Sequence, residues 1–201
     1  MSRVLLASHN AKKLAELRRI LGELIPDLEV LGLDDVSAYD EPAETESTFE
    51  GNALIKVRAG VLATGLPTLA DDSGLCVDEL HGMPGVLSAR WAGLGRRDAD
   101  NSALLLEQLS DTPDERRGAK FRCAVAFCRP GGGEDLAVGV MPGRISRAPR
   151  GDGGFGYDVV FVPARETRTS AEMTADEKDA ISHRGKALRA IAPMVAAELD
   201  V

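Results

Sequence analysis

Arg3-Val4-Leu5-Leu6-Ala7, followed by Ser8-His9-Asn10 and then by Ala11 to Leu24, is the stretch from which the fold can be read. An apolar run bounded by polar turn formers reads as a buried strand. In the residues that follow, Leu14, Leu17, Leu21 and Leu24 recur at helical spacing, so the strand feeds a helix through a short loop. A strand, a loop and a helix in that order open an α/β domain.

The text downstream continues the pattern. Ser47-Thr48-Phe49-Glu50 has the Ser-x-x-Glu form of a capping box and predicts a helix starting there, with Phe49, Ala53, Val57 and Val61 as its buried stripe. Gly65 stops it and Pro67 reinforces the boundary. Leu69-Ala70 and Leu75 to Val77 read as strand pieces flanking a turn at Asp71-Asp72-Ser73-Gly74, and Asp98 to Leu109 as an amphipathic helix. Lys120 to Arg129 and Asp135 to Met141 are two strands joined through Pro130 to Gly133, so the sheet is expected to be mixed. Asp158 to Val162 is a further strand, and Thr174 with Glu177 forms a second capping-box pattern opening a C-terminal helical region that Pro193 should kink or split.

Composition sets the outer limits. With 201 residues, 44% hydrophobic and 28% charged, the chain has the make-up of one globular domain with room for two lobes. A net charge of -8 without any Lys/Arg run opposes binding of long nucleic acids, but admits a small, metal-chelated anion. Neither a signal-type apolar stretch nor a membrane-length one is present, which points to a soluble, cytoplasmic protein. Cys76, Cys123 and Cys128 lie in apolar, strand-like text and read as core residues; with no CxxC pair and three histidines, the composition argues against a structural zinc site.

Four segments could carry chemistry. Asn10 is placed to cap the first helix, which puts Lys12 and Lys13 in its first turn, where the helix dipole disfavours cations. Either the lysines are solvated, or Ser8 to Lys13 form an anion site. Among the acidic residues, Glu41 and Glu46 read as solvated loop, whereas Asp71 and Asp72 end an apolar strand, the edge where α/β proteins place ligands. Magnesium takes one or two carboxylates, so Glu44 with Asp72 would suffice as its protein ligands. Asn52 and Lys56 share a helical face, and Lys56 must either snorkel or find an anion. Gly151 to Asp158 packs glycines around Phe155 and Tyr157, a composition suited to close approach by a ligand, with a bulged hairpin as the alternative. Lys178 and Ser182-His183-Arg184 come at a break between helices, where Ser182 can cap the last helix and His183 is either a ligand contact or a structural side chain.

These segments, together with Thr48 to Ala53 and Gly82 to Arg90, occur in the order of the signature segments of the inosine triphosphate pyrophosphatase family, whose bacterial branch the chain resembles over nearly its whole length. The resemblance implies an elongated α/β fold with a twisted mixed sheet flanked by helices, two lobes with a deep cleft between them, and a homodimer. It implies hydrolysis of deaminated purine nucleoside triphosphates to the monophosphate and pyrophosphate with Mg²⁺. By the same analogy Asp72 is the proton acceptor and a metal ligand and Glu44 is a second ligand. Ser8, His9, Asn10, Ala11, Lys12, Lys13 and Lys56 then bind the phosphates, while Ser73, Phe155, Gly156, Tyr157, Asp158, Lys178, His183 and Arg184 complete the substrate pocket. Family members commonly carry Thr and Gly where this chain has Ser8 and His9; Ser8 keeps the hydroxyl and His9 departs from the pattern. Two other readings share part of this evidence: a pyrophosphatase for other modified nucleotides, and a nucleotide-binding module without catalysis. A substrate panel separates the first and a turnover assay the second.

Overall fold

The computed structural model describes residues 2–93, 95 and 97–199. Its six strands are β1 (Ser2–Leu6), β2 (Leu28–Leu31), β3 (Thr68–Val77), β4 (Gly118–Cys128), β5 (Glu134–Ile145) and β6 (Phe161–Pro163), and they form one sheet in the order β2-β1-β3-β4-β5-β6. Its helices are α1 (Ala11–Leu24), α2 (Phe49–Thr64), α3 (Asp98–Gln108), α4 (Ala175–Ile181) and α5 (His183–Leu199). Strand β1 runs parallel to β2, with Val4 opposite Val30, and parallel to β3, with Leu6 opposite Leu69. Strands β5 and β6 are antiparallel, with Ile145 opposite Phe161. The sheet is therefore mixed, and helices α1 and α2 make the crossovers that parallel neighbours require.

By contact the chain divides into two compact units. One comprises residues 1–72, 123–139 and 184–201; the other comprises residues 73–122 and 140–183. Each has its own apolar core. In the first, Leu17, Ile20 and Leu21 of α1 and Leu188, Ile191 and Val195 of α5 pack with Val4, Leu69 and Val125 of the strands. In the second, Leu105 of α3, Phe121, Ile145, Tyr157 and Phe161 pack together, the rings of Phe121 and Phe161 tilted with centroids 4.6 Å apart.

Local chemistry explains most boundaries. Helix α1 begins where Asn10 caps it and buries Glu16, Leu17, Ile20 and Leu21, while Leu24, expected on the apolar stripe, is 41% exposed. Helix α2 is capped by Thr48, whose side chain accepts from the Gly51 N–H, so the cap lies one residue beyond the Ser47 expected. It ends at Gly65 with φ 67°, a left-handed turn that glycine adopts without strain. Its buried face runs through Gly60 instead of Val61, because a Cβ at Gly60 would meet Thr68 Cγ2 at 2.6 Å and only a bare backbone lets the helix approach β3.

Three expectations need correction. Asp71 to Gly74 is no turn: β3 runs unbroken from Thr68 to Val77, since both carboxylates find partners within the fold and turn propensity yields to tertiary contacts. Strand β6 begins at Phe161 and not at Asp158, because residues 157–160 close tight turns in which the Val160 and Phe161 N–H groups both donate to Tyr157 O. Helix α5 passes Pro193 without splitting; packing of Ile191, Ala192 and Val195 in the first core outweighs a proline cost of about 3 kcal/mol. The three cysteines are free and buried, as expected, and burial raises the pKa of each thiol. No helix among the described residues is long and apolar enough to cross a membrane.

Packing at two glycines gives opposite expectations. A Cβ at Gly143 of β5 would lie 2.3 Å from Val162 O and 2.6 Å from Phe161 Cζ, whereas one at Gly22 of α1 would meet nothing within 4 Å. Gly143→Ala should lose about 1–3 kcal/mol in urea unfolding. Gly22→Ala, in an open helix interior, should gain about 0.5–1 kcal/mol.

Candidate active site

Asp71 and Asp72 are consecutive residues of β3, and consecutive side chains of a strand point to opposite faces. That alternation gives the two carboxylates different surroundings. Asp71, 1% exposed, faces helices α1 and α5: Lys13 Nζ lies 3.0 Å from its Oδ2, and Arg184 donates to the same oxygen from Nε at 3.3 Å and Nη2 at 3.2 Å. Burial pushes the Asp71 pKa up, but Lys13, Arg184 and Lys56 together overcome it and hold the group well below the usual carboxylate range. Arg184, itself 1% exposed, also donates from Nη1 to Glu16 Oε2 at 2.5 Å, so two cations and two carboxylates form a buried cluster. Desolvation opposes the charge on Arg184, yet Asp71 and Glu16 more than compensate and raise its pKa.

Asp72 faces α2. Asn52 Nδ2 donates to its Oδ2 at 3.0 Å, the Asn52 carbonyl accepts from the Glu46 N–H, and Lys56 Nζ stands 3.9 Å from Asp72 Oδ1. The Asn52 and Lys56 side chains meet the same carboxylate because they are one turn apart on the helix. Here burial is the largest influence and raises the pKa; Lys56 lowers it and Glu44 raises it again. Lys56 also contacts Glu44 Oε1 at 2.5 Å and donates to Asp71 O at 3.2 Å. Burial lowers the Lys56 pKa, but Asp72 and Glu44 outweigh it, so the amine stays charged.

Glu44 and Asp72 therefore converge on one cationic point, occupied by an ammonium. Two hard oxygen donors aimed at one place suit a magnesium ion, which fills its remaining positions with water and phosphate oxygens. Among the described residues no group of three or more His, Cys, Asp or Glu side chains is arranged to hold a metal ion by itself.

The loop between β1 and α1 lies beside this set in sequence and is held by its own contacts. Asn10 Oδ1 accepts from the Lys12 and Lys13 N–H groups at 3.1 and 3.2 Å, and Ser8 Oγ accepts from the Asn10 N–H at 3.3 Å. With those two N–H groups engaged by the cap, the lysine ammoniums and the Ser8 hydroxyl are the side-chain groups of this loop that can meet an anion. His9 Nε2 contacts the Glu41 carboxylate, which ties the residue that departs from the family pattern to the segment leading to Glu44. Ala11 is exposed at the helix start.

The second unit holds the remaining predicted residues. Gly154 and Gly156, with φ of 69° and 61°, wrap the chain around Asp158, whose Oδ2 accepts from the Phe155 N–H at 2.9 Å and from Lys178 Nζ at 2.6 Å. A Cβ at Gly154 would fall 2.2 Å from that oxygen, so glycine is required there both by space and by backbone. Lys178 Nζ also sits 5.0 Å from the Phe155 ring centroid, a cation–π contact that fixes the ring. Tyr157 is buried and donates to Ser88 O at 2.9 Å, while Gly156 N–H donates to Asp98 Oδ2 at 2.7 Å. His183 stacks on Phe121 with centroids 4.8 Å apart and planes 11° from parallel. Ser73 is half-buried in β3, and Ser182 stands between α4 and α5 in extended backbone.

The predicted residues thus gather into two sets. Lys13, Glu44, Lys56, Asp72 and Arg184 are linked in the first unit, and Phe155, Asp158 and Lys178 in the second. The buried guanidinium of Arg184 is committed to Asp71 and Glu16, a different employment from the substrate contact that the resemblance implies. Sequence reasoning missed Glu16 and Asp98. Glu16 adjoins the apolar stripe of α1 beside Leu17 and Ile20, and a carboxylate on a core-facing stripe signals a buried cation; Asp98 carried no signal beyond an ordinary helix start.

Asp71→Asn should leave Arg184 and Lys13 short of a counter-charge and cost about 3–5 kcal/mol at pH 7 in urea unfolding. Because the folded pKa of Asp71 is depressed, its contribution is present above the unfolded value of about 3.9 and lost as pH falls toward the folded one. The gap between parent and variant should therefore narrow below about pH 4.

Residues 4–194 match the Ham1 family. The dITP/XTP pyrophosphatase of Nocardia farcinica is 59% identical over 201 residues, spanning 100% of this chain and 98% of its own. The crystal structure of a nucleoside-triphosphatase / dITP/XTP pyrophosphatase from Mycobacterium abscessus is 56% identical with a TM-score of 0.78, covering 95% of this chain and 99% of that one. The structure of a HAM1 protein from Coxiella burnetii is 40% identical with a TM-score of 0.87, covering 98% of this chain and 100% of that one.

Proposed function

Because the chain belongs to the Ham1 family, we propose that it hydrolyses deaminated purine nucleoside triphosphates, inosine, deoxyinosine or xanthosine triphosphate, to the monophosphate and pyrophosphate. The observation that carries the mechanism is the contrast between Asp71 and Asp72. One carboxylate is locked among cations by Lys13 and Arg184, and its neighbour faces α2, where Asn52 and Lys56 hold it beside Glu44, the placement a metal-assisted base requires.

Asp72 accepts the proton of a water that attacks the α-phosphorus. The bond from that phosphorus to the bridging oxygen breaks, and pyrophosphate leaves with the electron pair. Asn52 donates to Asp72 Oδ2 and Lys56 faces Oδ1, contacts that hold the carboxylate in place for that role. Glu44 and Asp72 would hold Mg²⁺, whose charge would offset that of the leaving pyrophosphate. Lys12, Lys13 and Lys56 supply further positive charge to the phosphates, and such electrostatic stabilisation is most of phosphoryl-transfer catalysis. In the second unit the Phe155 ring offers a face to the base. His183, oriented by its stack on Phe121, is the donor we assign to the purine 6-oxygen. Arg184 acts through Asp71 as a positioning residue for Lys13. The same reading makes the enzyme a homodimer, as the resemblance implies, and a cytoplasmic one, as the composition suggests.

Steady-state assays with separate detection of phosphate and pyrophosphate test this directly. Inosine and xanthosine triphosphates should exceed ATP in kcat/KM by about 10²- to 10⁴-fold, because adenine sets its amino donor against site donors that then lack an acceptor. Equal kcat/KM for ATP would end the deaminated-purine reading, and orthophosphate as first product would end attack at the α-phosphorus. His183→Ala should erode the preference by lowering turnover of inosine triphosphate more than of ATP.

Asp72→Asn should lower kcat by about 10²- to 10⁴-fold, the worth of a positioned base. Activity should rise with pH, since the attacking water must lose a proton, and should vanish in excess chelator. Retention within tenfold in Asp72→Asn would assign the base elsewhere.

A further inference from the structure

A cavity of about 350 Å³ in the second unit shares no residue with the candidate active site and is lined by Arg117, Arg144, Arg147 and Arg150, with Asp114 as the one carboxylate among its lining residues. Arginine keeps its charge at any physiological pH, so four of them around one cavity in a chain of net charge -8 call for counter-charge. The protein supplies little. Asp114 pairs with Arg147 at 2.7 Å, and Arg150 has Glu172 no nearer than 3.8 Å. The Arg144 backbone pairs with Val162, but its guanidinium makes no hydrogen bond or ion pair among the described residues. Arg117, 2% exposed, donates only to the carbonyls of Leu109, Ile145 and Ser146, and no carboxylate among the described residues pairs with it. Its pKa is lowered by burial and then by the charge of Arg147, which the nearby charge of Asp114 offsets only in part.

A buried cation satisfied by carbonyls alone leaves its positive potential directed into the cavity. Guanidinium forks match the oxygens of phosphate in pairs, and Ile145 and Val162 add an apolar wall for an organic group. We propose that this cavity is a second binding site, for a small phosphate-bearing molecule whose phosphate is held by Arg144 and Arg147 above the fixed charge of Arg117. The cavity lies at the lower end of the roughly 300–1,000 Å³ typical of small-ligand pockets, and the net negative charge of the chain opposes a long polyanion.

Nuclear magnetic resonance of the arginine Nε–H groups of the full chain, in chelator and 0.15 M salt, reads the site without turnover. Signals are assigned from Arg144→Gln and Arg147→Gln. Titration with inorganic pyrophosphate and, separately, adenosine monophosphate should move the Arg144 and Arg147 signals along one saturating curve. The tighter of the two ligands shows whether free or esterified phosphate is preferred. Arg144→Gln should weaken binding about tenfold, the scale of one lost charge-assisted hydrogen bond, while turnover of inosine triphosphate stays unchanged. A non-saturating drift equal to that of the surface residue Arg58, or undiminished affinity in Arg144→Gln, would overturn the proposal. Tighter binding of a single-stranded oligonucleotide than of either probe, at equal phosphate concentration, would overturn it in favour of a nucleic-acid surface.

Discussion

The buried cluster of Arg184, Asp71, Lys13 and Glu16 is the constraint on which the proposed catalytic arrangement depends. It ties β3 to α1 and α5 by contacts that exist only when all three elements are in register. Two cations and two carboxylates balance, so the cluster tolerates burial that no single member would survive. Strand geometry carries the consequence across the sheet. Once Asp71 is pinned toward α1 and α5, Asp72 must point toward α2, where Asn52 and Lys56 await it. The position of the proposed base is thus fixed by charges on the face opposite to it.

Much of this was legible in the sequence wherever a local rule operates. The Asn10 cap, the extent of α1, the Thr174–Glu177 capping box and the Gly65 stop follow from side chains a few residues apart, and each is where the pattern put it. What escaped was set by distant partners. Asp71 to Gly74 has good turn residues, and nothing nearby announces that Lys13 and Arg184 will draw Asp71 into a continuous strand. The split that Pro193 could have caused is absent, because the core packs on both sides of it. Likewise Glu44, Lys56 and Asp72 could be named as chemistry-bearing residues, but their shared contacts arise only in the folded chain.

The site also shows how one residue type serves different ends. Four lysines and arginines of the site are engaged, in three electrostatic duties. Lys13 and Arg184 neutralise Asp71, Lys56 stands between Glu44 and Asp72, and Lys178 joins Asp158 to the face of Phe155. Arg117 of the cavity differs from all four in having carbonyls in place of a carboxylate. A buried guanidinium satisfied in that way keeps its full charge available to a visitor.

The three cysteines have a practical corollary. Attack by peroxides and electrophiles proceeds through thiolate, and Cys76, Cys123 and Cys128 are shielded from solvent with the ionised form disfavoured. Oxidants therefore meet the molecule through its thioethers instead, of which Met83 and Met194 are 37% and 41% exposed. Ageing of the purified protein should be followed as sulfoxide on those two side chains, and added thiol reductant will do little to prevent it.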